Sequence, residues 1–338
     1  MVKQNKSNYI IARVVAQYRG KYRINSGAKE FWAEVTGKTM YQAVSQLDYP
    51  VVGDLVNIVE LEYGNAIIEA VLPRKNILQR KSAGKDSVQP IASNIDTAFI
   101  VQAVDRDFNL NRFERYLTIV AAAKISPVFV LSKSDLITSE ELKEKITLMG
   151  DRFKDIPIIT VSILAESGID SIRKEILPNQ IYCLLGSSGV GKSSIINKLL
   201  GKELLKTKEI SAHTKKGKHA TTHRELFVLD GGGMIIDNPG MREIGLADAK
   251  DGVSSVFSEI EQLSKGCRFI DCTHQHEPGC RVLAAVESGE LSDEKYDSYI
   301  KLKKESDYYD MTSLEKRRKD KSFGKMVKTA MKQIKKLK

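Results

Sequence analysis

Apolar residues recur along this chain in two rhythms. Over residues 8–74 they come in short runs. Tyr9 to Tyr18 is rich in Ile, Val and Ala, Phe31-Trp32-Ala33-Glu34-Val35 alternates, Gly53 to Val59 follows a proline-led turn, and Ala66 to Leu72 stops before Pro73. Short strands so spaced predict a small β-barrel, and an OB-fold is the preferred form. Residues 76–93 are polar, with Gly84, Ser87 and Pro90, and read as a linker. From Ile95 the rhythm changes. Ile95–Val101, Pro127–Leu131, Ile156–Val161, Ile181–Leu185 and Met234–Ile236 are near-continuous apolar runs, the mark of strands buried on both faces. Phe113, Tyr116, Leu117 and Val120 lie at helical spacing and predict a helix over 111–123 that packs on the first of these strands. Strand–helix alternation continues to about residue 247, which implies a mostly parallel sheet covered on both faces. Past residue 250 the pattern is helical. The expected architecture is multidomain: a barrel over 1–75, a linker over 76–93, an α/β domain over 94–247, and a mainly helical domain with a basic tail over 248–338.

The chemistry sits at the ends of the predicted strands. Gly186-Ser187-Ser188-Gly189-Val190-Gly191-Lys192-Ser193, followed by Ser194, directly succeeds the run Ile181–Leu185 and opens a predicted helix to about Leu200. This is a complete phosphate loop: glycines turn backbone N–H groups inward, and the helix N-terminus faces the same anion. Lys192 is expected on the β- and γ-phosphates and Ser193 on Mg²⁺. Asp237-Asn238-Pro239-Gly240 follows another strand and fits an Asp-x-x-Gly element, with Asp237 toward Mg²⁺ and the Gly240 N–H toward the γ-phosphate. Thr221 and Thr222 lie between these elements. One of them is the candidate switch threonine, and Ser193, Thr222 and Asp237 form the expected magnesium set.

Base selection is expected upstream. Ser132-Lys133-Ser134-Asp135 ends the strand over 127–131, and a carboxylate at Asp135 can accept from guanine N1–H and N2–H₂, a pair adenine lacks. Backbone N–H groups at Ser162-Ile163 are expected to meet guanine O6. Each element alone is weak, because S-K-S-D and D-N-P-G also occur as ordinary turns. All of them fall at carboxyl ends of strands, the edge where open α/β sheets bind ligands. Their order is itself informative, since the base-reading element precedes the phosphate loop. Many GTPases place a glutamine after Asp-x-x-Gly to aim water. Here Met241 stands there, and His219 is the candidate substitute.

Charge and cysteines add two constraints. The 338-residue chain carries a net +10, and residues 301–338 hold 14 Lys or Arg against 5 Asp or Glu, so nearly all the excess lies in the tail. Such a tail calls for a polyanionic partner, and nucleic acid fits best. Arg13, Arg19, Lys21, Tyr22, Arg23 and Trp32 give the barrel a candidate nucleic-acid face. No apolar stretch approaches the roughly 20 residues of a membrane span, and no signal-peptide pattern begins the chain, so a cytoplasmic protein with no membrane partner is expected. Four cysteines do not suggest a disulfide framework. Cys267, Cys272, His274 and Cys280 are spaced C-x4-C-x-H-x5-C, a closed set suited to one structural Zn²⁺, with His276 as a rival for His274. Cys183, beneath the phosphate loop, reads as a core thiol.

In this order the motifs resemble one family end to end: the circularly permuted GTPases that act on the small ribosomal subunit, the RsgA family. The resemblance rests on S-K-S-D, then G-S-S-G-V-G-K-S, then D-N-P-G, then the cysteine–histidine set. It implies GTP hydrolysis stimulated by the small (30S) subunit and a role in its late maturation through 16S rRNA. It also points to His219. The alternative is a nucleotide-gated rRNA-binding assembly factor that uses hydrolysis only for release. A monomer is expected. Two positions depart from the family pattern: Ser132 stands where Asn is usual, and Ala220 where Thr is usual.

Overall fold

Residues 9–81, 88–105, 108–203, 205, 224–237, 249–312, 314–318, 321 and 331 are described in a computed structural model. Alternation along the N-terminal strands gives each one an inner and an outer face. β3 (Glu30–Val35) alternates strictly between exposed and buried positions and is followed by the short helix α1 (Gly37–Gln42). With β1 (Ile10–Gln17), β2 (Tyr22–Asn25), β4 (Leu55–Glu60) and β5 (Asn65–Val71) β3 forms a ring in the order β1-β2-β3-β5-β4, closed by β4 pairing back to β1. Ala12, Val14, Ile24, Phe31, Ile58 and Ile68 fill the interior. The expected OB-type barrel is present. Closure removes the open edges that short strands would otherwise expose. Tyr22 points into this interior at 5% exposed, so it is no part of an outer nucleic-acid face.

The stretch read as a linker contains a hairpin, β6 (Ile77–Lys81) with β7 (Val88–Ser93). Leu78, Ile91 and Ala92 are buried in the main core, whereas the Gly and Ser that suggested a linker lie at 82–87, outside the described residues. The hairpin also carries the barrel. Gly53, at φ +99°, lies so close to β7 that a Cβ there would sit 2.2 Å from the Ser93 carbonyl oxygen. The adjacent Asp54 carboxylate is fully buried. It accepts from Arg74 Nε at 2.8 Å and Nη2 at 2.7 Å, from Val51 N at 2.9 Å, and from the Ser93 hydroxyl.

The α/β domain follows as β8 (Thr97–Ala103), α2 (Leu110–Ala122), β9 (Ser126–Ser132), α3 (Ser139–Arg152), β10 (Ile158–Val161), α4 (Ile169–Glu175), β11 (Ile181–Leu185), α5 (Lys192–Leu200), β12 (Arg224–Val228) and β13 (Met234–Asp237). Its strand order is β10-β9-β8-β11-β13-β12. All neighbours are parallel except β12, which runs antiparallel to β13. The chain reverses its direction of travel across the sheet at β8: β9 and β10 lie on one side of it and β11 on the other. The sheet then continues into the barrel, because β12 pairs with β1 through Glu225–Ala16 and Arg224–Gln17. Arg23 of β2 ion-pairs with Glu225, and Arg224 donates to the Pro90 carbonyl at 2.9 Å.

The C-terminal helices α6 (Lys250–Val256), α7 (Ser258–Ser264), α8 (Arg281–Glu287) and α9 (Asp293–Asp310) build on α2. Phe113, Tyr116 and Leu117 of α2 share one core with Val253, Phe257, Ile260, Val282 and Tyr299. Gly252 makes the approach possible, since a Cβ there would lie 2.1 Å from the Thr118 carbonyl oxygen. Arg115 forms a two-pronged pair with Glu305 at 2.5 and 2.7 Å. Buried Glu114 accepts from Arg152 at 2.7 Å, and Arg152 reaches Ser292 at the start of α9 at 3.2 Å. Among the described residues no helix is long and apolar enough to cross a membrane. Asp54→Ala would leave a largely buried Arg74 without its carboxylate, so it should destabilise the chain by about 3–5 kcal/mol. Urea unfolding of wild type and variant checks this.

Candidate nucleotide site and metal centre

β11 is buried along its whole length and delivers the phosphate loop to the sheet edge. Three glycines shape the loop. A Cβ on Gly186 would meet the Val101 carbonyl oxygen of β8 at 2.2 Å, and Gly189 and Gly191 take left-handed φ of +85° and +94°. Gly191 caps α5 with no side-chain hydrogen bond, so its first-turn N–H groups have no side-chain acceptor from the cap and stay directed at the loop. Ser187, Ser193 and Ser194 are half-buried, while Ser188 and Gly189 are exposed. The Lys192 ammonium folds over the loop and donates to the carbonyls of Gly186 at 2.8 Å and Ser187 at 2.6 Å.

The base-reading segment lies beside this loop. Ser132 ends β9, and its hydroxyl lies 2.6 Å from the Val190 carbonyl oxygen of the phosphate loop. Lys133 takes a left-handed φ of +59°, which turns the chain out of the strand, and its ammonium lies 3.8 Å from Asp105. Ser134 and Asp135 open a short 3-10 turn, and the Asp135 side chain is exposed to solvent. Ser162 is buried just past β10 and donates its hydroxyl to Asp135. Ile163 follows, half-buried. A tight loop holds Ser162: its backbone exchanges two hydrogen bonds with Ser167, and Gly168, at φ +82°, lies where a Cβ would be 1.9 Å from the Thr160 carbonyl oxygen. The structure therefore gathers Ser132, Lys133, Ser134, Asp135, Ser162 and the loop 186–194 at the carboxyl edge of β9, β10 and β11, with Asp237 at the end of β13 on the same edge. His219, Thr221, Thr222 and Gly240 lie outside the described residues.

Sequence reading missed Gln102. It is fully buried near the end of β8 and holds the Asn109 backbone at both its N–H (3.0 Å) and its carbonyl (3.1 Å). The available signal was an amide inside an otherwise apolar strand. Cys183 lies in β11, where burial pushes its thiol up to about 12 and keeps it protonated, as a core thiol should be.

The second cluster is in the helical domain. The ligand atoms of Cys267, Cys272, His274 and Cys280 lie within 4.8 Å of one another. Cys267 Sγ is 3.8 Å from Cys280 Sγ and 3.6 Å from His274 Nδ1, and Cys280 Sγ is 3.5 Å from the same nitrogen. Tetrahedral thiolates with Zn–S bonds of about 2.3 Å stand about 3.8 Å apart, so the donors suit that ion. Burial lowers the pKa of His274 and favours the neutral, ligating imidazole. Tyr296 donates to the His274 carbonyl at 2.6 Å. Glu277 ties the loop by accepting from the Thr273 hydroxyl and from the backbone of Thr273, Gln275 and His276, and its pKa is lowered first by that hydroxyl and then by the Thr273 and His276 amides. His276 is exposed and is no member of the cluster.

A family model described as RsgA GTPase matches residues 71–247. The chain belongs to the RsgA GTPase family. A protein of Lactiplantibacillus plantarum named small ribosomal subunit biogenesis GTPase RsgA 2 is 40% identical over 332 residues, covering 98% of this chain and 93% of that protein. Small ribosomal subunit biogenesis GTPase RsgA 1 of Bacteroides thetaiotaomicron is 40% identical over 323 residues, covering 95% and 90%. Among solved structures, YjeQ from Thermotoga maritima superposes with a TM-score of 0.64 at 26% identity, covering 87% of this chain and 97% of that one. YloQ, titled a circularly permuted GTPase, superposes at 0.63 with 22% identity, over 88% and 95%, and shows the shared fold. The α/β domain is thus a circularly permuted GTPase domain, and the chain is a GTP-hydrolysing enzyme.

Gly168→Ala should force the Ser162–Ser167 loop away from β10. An overpacking cost of about 1–3 kcal/mol in thermal or urea unfolding is expected. Weaker binding of guanosine diphosphate should accompany it, measured by calorimetry, because Ser162 would no longer be held against Asp135.

Proposed function

We propose that this chain hydrolyses GTP in the maturation of the small ribosomal subunit, binding 16S rRNA and answering to it with faster turnover. The observation that carries the reading is the gathering of Ser132, Asp135, Ser162 and the loop 186–194 along one sheet edge. Relatives matched over nearly their whole length are named small ribosomal subunit biogenesis GTPases, which supports the partner.

In this reading Asp135 accepts from guanine N1–H and N2–H₂, and Ser162 and Ile163 face O6. Loop amides from Gly186 to Ser194 cradle the phosphates. Lys192 leaves the carbonyls of Gly186 and Ser187 for the phosphate oxygens, trading two neutral acceptors for charged ones. Ser193, Thr222 and Asp237 would hold Mg²⁺, which supplies neutralisation of phosphate charge when bound. His219 orients the attacking water in place of the glutamine that Met241 displaces. Cys267, Cys272, His274 and Cys280 would hold one structural Zn²⁺. The chain acts as a cytoplasmic monomer.

The fold offers a route from RNA to catalysis. β12 starts at Arg224, directly after the segment that contains His219, Thr221 and Thr222, and β12 is hydrogen-bonded to barrel strand β1. On the barrel surface, Trp32 is 47% exposed with its ring 5.2 Å from Tyr18, which leaves a stacking surface for a base. RNA held there would act on the segment ahead of β12 through the β1–β12 pairing.

The deciding measurement is GTP turnover with purified small subunits, large subunits and naked RNA across a salt series. Small subunits alone should raise the rate, and the effect should fall steeply as salt rises. Equal stimulation by large subunits would overturn the assignment of partner. His219→Ala should lose most of the stimulated rate while keeping nucleotide affinity. Full stimulated turnover in that variant would remove His219 from the mechanism. Asp135→Asn should shift preference from guanosine toward xanthosine triphosphate, whose C2 carbonyl accepts from an amide, by about 1–3 kcal/mol. Removing zinc with a chelator should lower the melting temperature, because Cys272 and Cys280 sit in the core that joins the helical domain to α2.

A further inference from the structure

Two arginines outside the nucleotide edge and the cysteine–histidine cluster meet where the hairpin packs against β12. Arg80 lies opposite Gln89 in the β6–β7 hairpin and donates through Nε to its side-chain oxygen at 3.0 Å. Arg224, the first residue of β12, donates through Nη1 to the carbonyl of Pro90 at 2.9 Å. The two guanidinium groups are thus anchored on consecutive residues of one strand, and both anchors are neutral oxygens. A guanidinium carries five N–H donors, so each of these keeps most of its donors after the anchoring bond. No nitrogen of either group is sealed from water without a partner, so the remaining donors open to solvent.

A half-buried pair of like charges needs compensation. Among the described residues no carboxylate lies within ion-pair distance of Arg80 or Arg224. The acid next to Arg224, Glu225, turns to the other face of β12 and pairs there with Arg23. Burial, and after it the charge of Arg80, push the Arg224 pKa down to about 10, which leaves the group charged at neutral pH. Burial acts on Arg13 in the same direction, but Asp96 and Asp54 oppose it. Arginines that fasten the fold are given a carboxylate, as Arg74 is by Asp54 and Arg23 by Glu225. Arg80 and Arg224 are given each other.

We infer that Arg80 and Arg224 form an anion site for one phosphate group, carried in a nucleic-acid backbone or present as the free ion. Planar guanidinium forks match phosphate oxygens two at a time, and the negative charge of the ligand replaces the repulsion between the forks with two attractions. The site shares no residue with the loop 186–194, and its ligand is a second anion beside the nucleotide.

The test is titration calorimetry of the full chain, saturated with GDP so that the loop 186–194 is filled. The probes are inorganic phosphate and a single-stranded RNA oligonucleotide, and the proteins are wild type, Arg80→Gln and Arg224→Gln. GDP affinity, measured first, should be the same in all three and reports separately on the nucleotide reading. If the ligand is the free ion, each variant should bind inorganic phosphate about tenfold more weakly. If it is a backbone, each variant should bind the RNA more weakly, with a salt dependence shallower by about one phosphate contact. Either loss supports the site. Melting temperatures add a readout that a structural role would move the other way: without phosphate or RNA, Arg80→Gln should melt no lower than wild type, because it relieves the repulsion on Arg224. Wild-type affinity for both probes in both variants would overturn the inference. So would a wild type that binds neither probe, or an Arg80→Gln variant that melts lower while binding both probes normally.

Discussion

Parallel strands carry their carboxyl ends to one edge, and β9, β10, β11 and β13 of this domain all end there. The edge is where the sheet divides, because β8 lies between strands that continue in opposite directions across it. Loops leaving β9 and β11 flank β8 and meet over it, and Ser132 and Val190 make the contact. A base and its phosphates can then be held by segments separated by about fifty residues of chain and in either chain order. Permutation changes which loop comes first. It leaves unchanged where the loops arrive.

The flanking domains are fastened to this sheet by different means. The barrel is an extension of it through β1 and β12, and is clamped a second time where buried Asp54 joins Arg74 and Ser93. Among its described residues the helical domain has no strand to offer. It packs on α2 through a shared apolar core and through Gly252, which lets two helices approach at backbone distance. The continuous core shows that this domain is built onto α2, so a rigid shift of it would expose Val253 and Phe257 to water.

Tyr22 and Leu78 show where pattern reading fails. In sequence Tyr22 groups with its cationic neighbours as a nucleic-acid face, but strand alternation turns it into the barrel while Arg23 turns outward to Glu225. Leu78 and Ile91 sat in a window whose average was set by Gly84 and Ser87, so their burial in a hairpin was hidden by composition. The cysteine–histidine set was legible because metal ligation restricts residue type and number, and only four side chains had to be counted.

What the residues alone determined here is local: buried strands written as continuous apolar runs, glycines at positions where left-handed backbone or close approach leaves no room for a side chain, and a donor set that suits one metal. Those features depend on neighbours in sequence or on the kind of atom present. Tertiary structure decided which segments meet. Ser132 to Val190, Ser162 to Asp135, β12 to β1 and Gly252 to Thr118 each join parts of the chain that no periodicity relates. A hydrogen bond or a close backbone contact is specified by position in space to within an ångström, and only the packed sheet and its core fix positions that finely.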